Sequence, residues 1–435
     1  MAVTAKRHTA SAEAIPSSSN ETCDAAPDTA RAVTVASVVS SRPFTLSDGT
    51  RLTVRIAETL DADGRETILA LRDTACRTLF NSPEWIEAWL SRGDLNHNGT
   101  PVFLSASNAA GQPALFLPLF LRLTGGARVL TWIGEETFAV QNPLCSDEIR
   151  SVLTPDDIKR MFLALREMID GGFDAVRLRN QPGSWAGAQN PFAASAAHEA
   201  PNANYERELH ADFTALYNDT FTSRERRNHA RQHRRLLEFG SVEMSVAATD
   251  AEREEILAAF FSFKTAQLDQ IGAANPFAST EMRQFYRRAL QSVTQANAMT
   301  PIYAGLRVDG KLVATLVGVR DNDRFTTLMS AITLDEIART SPGQHLLEHV
   351  IAQLCSDDVR VFDFGPGASP QKLRWNMRPV TLYSVALVFH PRAWPVIFWG
   401  RTTSSVMRRL KSNTRLFRAL SLIRARIAGR THSNT

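Results

Sequence analysis

Ser341-Pro342-Gly343-Gln344-His345 is a helix start suited to meeting an anion. Pro342 fits the first turn, where its missing N–H costs nothing. Gly343 lets the main chain come close to a ligand. Free N–H groups at such a start attract phosphates, and the Ser341 and Gln344 side chains could add donors around a pyrophosphate. The alternative is a plain helix start. Further on, Asp363 ends the short apolar strand Val361–Phe362. It could take a proton from an attacking amine or hydroxyl, or cap the Gly365–Gly367 turn. Lys372 could stabilise charge on an acyl oxygen or hold a phosphate; otherwise it is a solvated charge. His345 offers another base, but a partly exposed helix histidine is the plainer reading.

Two basic segments stand apart. Arg224, Arg227, Arg231 and Arg234 or Arg235 recur at a spacing that makes one helical stripe. Arg227 and Arg231 at its centre could hold a phosphate of a donor or an acceptor; the alternative is a solvated face. From Pro391 to the end there are ten basic residues and no acid, in a chain of net charge +4. The body is therefore mildly acidic and the tail basic. Phe398, Leu410, Phe417 and Ile423 alternate with the charges, as in helices that lie on anionic membranes; the alternative is a C-terminal helix packed on its own protein. Nucleic acid fits the charge too, but no reader motif supports it, so it is not an expected partner.

The elements that must position these residues follow from periodicity. Leu346, Leu347, Val350, Ile351 and Leu354 give the helix after Gly343 one apolar face. Asp309-Gly310 between apolar runs predicts a hairpin. Asn81-Ser82-Pro83 predicts another helix start, and 101–107 with 114–121 a second hairpin. Phe213–Phe239 reads as one helix, and Thr381–Val388 as a last strand. With 435 residues, two domains are expected. The segment Gln181–Asn204, poor in periodic runs, marks their boundary. The expected fold is α/β with mixed sheets: a disordered leader over 1–45, domains over 46–204 and 205–390, and a basic helical tail over 391–435. Cys23, Cys76, Cys145 and Cys355 are far apart without CxxC, which suggests reduced thiols, no metal and a cytoplasmic setting. Met1–Asn20 lacks the apolar segment of a secretory signal. The run 380–399 is interrupted by His390, Pro391, Arg392 and Pro395, so a membrane span is not expected.

The Pro-Gly helix start, Phe362-Asp363-Phe364-Gly365 with Gly367, then Lys372 and Trp375, resemble GNAT acyltransferases of the CelD or BioF-like type, relatives of the FemAB peptidyltransferases. Asn81-Ser82-Pro83-Glu84-Trp85 resembles an early motif of the same family. The match runs over about 205–375 and more weakly over 52–205. It implies two tandem GNAT-like domains, with acetyl-CoA or another acyl-CoA held in the second by Arg339, Ser341, Gly343 and Gln344. It implies Asp363 and Lys372 as catalytic groups and a small-molecule or saccharide acceptor linked to cellulose or exopolysaccharide synthesis. Trp375 reads as a structural residue packed over the sheet, with a platform for a sugar ring as the alternative. The pyrophosphate loop departs from the family pattern, offering one glycine between Arg339 and His345. Gln371 stands where an aromatic commonly precedes the lysine.

The expected activity is direct transfer of an acyl group from a CoA thioester to an amine or hydroxyl, by positioning and oxyanion stabilisation. No GxSxG or cysteine nucleophile set is present. Two alternatives stand beside it: a FemAB-like transferase that uses charged tRNA, and a non-catalytic subunit of a polysaccharide synthase. The expected location is the cytoplasm, peripheral at the inner face of the membrane.

Overall fold

The computed structural model describes residues 40–398 apart from 75–76, 95–98, 196 and 297–298. Nearly all of the expected leader and of the basic tail lies outside the described residues. Residues 40–45, read from sequence as the end of the leader, instead form a strand of the first sheet.

The first half holds β1 (Ser40–Thr45), β2 (Arg51–Ala57), α1 (Ala62–Ala70), α2 (Pro83–Leu90), β3 (Thr100–Asn108), β4 (Pro113–Thr124), β5 (Ala127–Trp132), β6 (Leu144–Cys145), α3 (Asp147–Val152), α4 (Pro155–Met168), β7 (Ala175–Pro182), β8 (Ser184–Trp185), β9 (Ala188–Gln189) and β10 (Ala197–Glu199). The second holds β11 (Asn204–Glu208), α5 (Phe213–Thr220), α6 (Ser223–Leu237), β12 (Val242–Val246), α7 (Asp250–Gln270), α8 (Thr280–Ala296), β13 (Thr300–Val308), β14 (Lys311–Asp321), β15 (Arg324–Ile332), α9 (Pro342–Ser356), β16 (Val361–Pro366), α10 (Pro370–Arg374), β17 (Arg378–Val380) and β18 (Leu382–Val388).

The class is mixed α/β, as expected. One sheet runs β1-β2-β3-β4-β5-β7-β18-β10, with β6 on β4; a second runs β12-β13-β14-β15-β16-β11-β17; β8 and β9 pair as a small third. β18 follows the second sheet in sequence yet pairs with β7 and β10 of the first. Both expected hairpins form. In the β13–β14 hairpin, Asp309 and Gly310 take φ of 47° and 75°, the left-handed pair that a two-residue turn needs. The helix expected over Phe213–Phe239 is two helices. Thr222 starts α6 with a capping box to Glu225, which ends the α5 run.

Ser82 caps α2 and Pro83 takes its first position. Trp85 and Trp89, one turn apart, then face the same way. They pack edge-on against Phe285 of α8, with Phe80 and Phe138 beside them. This aromatic core joins the two halves. Cys145 and Cys355 are both buried. Among the described residues, no helix is long and apolar enough to cross a membrane, and no group of His, Cys, Asp or Glu could hold a metal.

Candidate functional site

The second sheet opens at β15 and β16. These strands pair in parallel only over Arg324–Thr326 with Val361–Asp363. Just beyond, a register shift leaves Leu328 bulged from β14; bulges bend the strand that carries them. A cavity of about 550 Å³ lies past the last pairs, walled by Ser330 and Ile332 of β15, Ser341 and Gly343 at the start of α9, and Phe364 and Gly367 across the gap. Ser341 takes a left-handed conformation, φ 58° and ψ 50°, and α9 has no side-chain cap. A non-glycine residue held there is strained. The uncapped helix end, carrying its partial positive charge, borders the cavity. A Cβ on Gly343 would sit 2.9 Å from the Ile332 side chain, so close packing requires glycine here.

Asp363 and Lys372 come together, but both are used inside the protein. Asp363 is 1% exposed. Its Oδ1 accepts from the Gly365 amide at 2.8 Å and from Asn204 Nδ2 at 2.9 Å. Arg324 lies 3.6 Å from its other oxygen. Burial pushes the Asp363 pKa up, with Arg324 and the two hydrogen bonds opposing. Lys372 is 5% exposed, and its Nζ donates to the carbonyls of Gly365 (2.8 Å), Pro366 (3.0 Å) and Gly367 (2.7 Å). An ammonium has three donors, so all are spent on this turn. Burial lowers its pKa to about 8 against the pull of Asp363. The pair therefore shapes the turn that forms one cavity wall, which is the turn-capping alternative for Asp363.

Trp375 is fully buried, edge-on to Phe221 at 5.0 Å, and cannot serve as a sugar platform in this conformation. Its Nε1 donates to Gln344 Oε1 at 3.3 Å, and Gln344 Nε2 donates to Glu348 at 2.9 Å. The Gln344 side chain thus faces inward, while the residue still borders the cavity. Glu348 also meets His229 Nδ1 at 3.0 Å and accepts from the Tyr217 hydroxyl at 3.3 Å. Burial would raise the Glu348 pKa, but hydrogen bonds from His229, His345 and Gln344 outweigh it and hold it at about 2. His345, expected to be partly exposed, is buried at 4% because α6 covers this side of α9.

Arg339, Arg227 and Arg231 are exposed, and none borders the cavity. Arg231 donates to Asn228 at 2.7 Å. Sequence analysis missed several cavity residues, among them Lys264 and Gln267 of α7, Thr315 of β14 and Arg374 of α10. A signal was present. Leu257, Phe260, Phe261, Lys264 and Leu268 follow the spacing of one helical face, so Lys264 interrupts an apolar stripe.

Residues 223–373 match the acetyltransferase (GNAT) domain family. No curated protein matches the chain. Among solved structures, FemX is similar at 8% identity and a TM-score of 0.53, over 76% of this chain and 97% of that one. A tandem GNAT protein from the clavulanic acid biosynthesis pathway is similar at 13% identity and 0.42, over 80% and 98%. The C-terminal domain of a putative lysylphosphatidylglycerol synthetase from Agrobacterium fabrum is similar at 14% identity and 0.44, over 76% and 95%. The GNAT match covers α6 to α10, the segment that builds the cavity, within a fold similar to that of FemX.

Proposed function

We propose that the chain is a GNAT-type acyltransferase that moves an acyl group from a CoA thioester to an amine or hydroxyl. The observation that carries this reading is the cavity opened where β15 and β16 part, bordered by the uncapped, left-handed start of α9. The donor's phosphates fit the helix end, with the exposed Arg374 on the cavity wall beside them. The acceptor's lone pair forms the new bond to the carbonyl carbon, the C–S bond breaks, and the acceptor's proton leaves to solvent or to the thiolate. Positioning supplies most of the acceleration. Asp363 and Lys372 serve by holding the 365–367 turn. A saccharide acceptor is the class suggested by the CelD-type resemblance.

Calorimetric titration with acetyl-CoA tests the reading, with Gly343→Trp as the control variant. Saturable binding by the wild type, weakened at least about tenfold in the variant, is expected. Absence of binding to acetyl-CoA and longer acyl-CoAs at millimolar ligand overturns it.

A second reading, transfer from an aminoacyl-tRNA, is favoured by one observation. Arg224, Arg227, Arg231, Arg234 and Arg235 are all exposed on α6, which packs beside the start of α9. Salt-dependent binding of tRNA, reduced by Arg227→Ala and Arg231→Ala, would support it. For the tail we propose contact with anionic lipid. Trp394 and Phe398, exposed in the described first residues of the tail, support this, and flotation with anionic liposomes is the test.

A further inference from the structure

The cavity is walled from both faces of the second sheet. On one face α9 packs with Ala314, Leu316 and Ile332. On the other, α7 packs with Val317, Met329 and Ala331. The helix start belongs to the first face. Lys264 and Gln267 enter the cavity from α7, on the second. Gln267 Nε2 donates to the Ile332 carbonyl at 2.9 Å, which ties the end of α7 to the rim of β15. Lys264 lies one turn earlier on the same side.

Lys264 is half-buried, and its ammonium has no hydrogen-bond or ion-pair partner among the described residues. Burial is what lowers its pKa. Thr315 of β14 also lines the cavity and is 2% exposed. Its buried hydroxyl has no partner either. An unpaired cation and an unpaired hydroxyl, each withdrawn from water, are costs the fold does not offset from within. A single oxyanion spanning the two would offset both, accepting from Nζ with one oxygen and from Oγ1 with the other.

We propose that the α7 end of this cavity binds a carboxylate on the acyl acceptor, through Lys264 and Thr315. The acceptor is then an amine or hydroxyl compound that bears an acid: an amino acid, a hydroxy acid or an acidic sugar. Naming the ligand an acceptor rests on the acyltransferase reading; the anion subsite does not. The donor's phosphates belong at the α9 start on the opposite face. The acyl chain of a dicarboxylic donor is the other possible source of the acid, and the test separates the two.

The full-length protein and its Lys264→Met, Lys264→Arg and Thr315→Val variants, matched in far-UV circular dichroism, are compared in two assays. Thermal shift uses amino acids, hydroxy acids and uronic acids against their carboxamides. Calorimetry uses acetyl-CoA and succinyl-CoA. The expected result is a carboxylate that binds the wild type at least about tenfold more tightly than its carboxamide. Lys264→Met loses that preference, Thr315→Val weakens it and Lys264→Arg keeps it. Acetyl-CoA affinity stays within about twofold throughout. The proposal is overturned if no acid in the panel is preferred to its carboxamide by the wild type. A tenfold or larger loss of acetyl-CoA affinity in Lys264→Met overturns it too, by assigning the lysine to the donor's phosphates. So does a wild-type preference for succinyl-CoA that Lys264→Met abolishes, which puts the acid on the acyl chain. Carboxylate preference without binding of either CoA keeps the subsite and sinks the acyltransferase reading.

Discussion

Ser341 holds a left-handed conformation that costs an ordinary residue about 1–2 kcal/mol. Glycine adopts it without that penalty. Ser341→Gly should therefore leave stability unchanged or raise it by up to about 1 kcal/mol. Ser341→Val, with a branched side chain, should lower it by about 1–2 kcal/mol. Urea unfolding measures both, and a stabilised valine variant would mean that the backbone relaxes out of this conformation. Asp363 gives a sharper residue-scale test. A carboxylate acting as general base contributes about 10²–10⁴ in rate, whereas one that caps the Gly365 amide can be replaced by an isosteric acceptor. Asp363→Asn keeps that acceptor, so kcat should stay within about threefold. A loss of a hundredfold or more with an intact fold would restore the catalytic role. Lys372→Met removes three charge-assisted bonds to the 365–367 carbonyls. It should cost about 2–3 kcal/mol and weaken acyl-CoA binding together with stability.

At the scale of elements, Glu348 fastens α9 to α5 and α6 through Tyr217 and His229, with His345 and Gln344 on its own helix. His233 of α6 lies against the His345 ring at 5.2 Å, and burial lowers the His233 pKa. The Glu348 pKa stands at about 2 against an ordinary 4.5. Its stabilisation is therefore fully present above pH 4.5 and is lost as pH falls through 2, an amount of about 3 kcal/mol. Glu348→Gln should flatten the fall in stability between those limits, as read from urea midpoints at stepped pH. An unchanged slope would place the acid sensitivity elsewhere. This clamp also shows what the sequence could reveal. The stripe from Leu346 to Leu354 was legible because one side of α9 lies on a sheet and its apolar spacing records that. The burial of His345 was not, because its cover is α6, a helix whose sequence is dominated by exposed arginines. The Thr222-Glu225 capping box did mark the start of α6, but the polar run on either side masked the break. The cavity's helix start could be read from Pro342 and Gly343. Lys264 could be read only as an interruption in an apolar stripe, and its meaning depends on where β15 parts from β16.

For the whole molecule, the return of β18 couples the halves. Residues 46–204 contain β7 and β10 but not the strand between them. Without Leu382–Val388, β7 loses its antiparallel partner over Leu382–Val388 with Pro182–Ala175, and buried Leu382 and Val385 leave the core. The aromatic packing of Trp85 and Trp89 on Phe285 adds a second link. Both halves should therefore unfold in one transition, with circular dichroism and tryptophan fluorescence coinciding. Trp85→Ala opens a cavity at the centre of that link, so it should cost about 3–5 kcal/mol. Because β18 still connects the sheets, the transition should remain single. The stronger cut is at β18. A fragment of residues 40–204 should show no cooperative unfolding on its own, since an unpaired strand edge and exposed apolar positions favour association. Fusing residues 381–398 to it through a flexible linker supplies the missing strand and the Ala393–Ile397 packing on Ala127 and Val129, and should restore a sharp transition. If the unfused fragment already unfolds cooperatively as a monomer, β18 adds little to the first sheet. The halves would then be independent domains held together mainly by their aromatic contact.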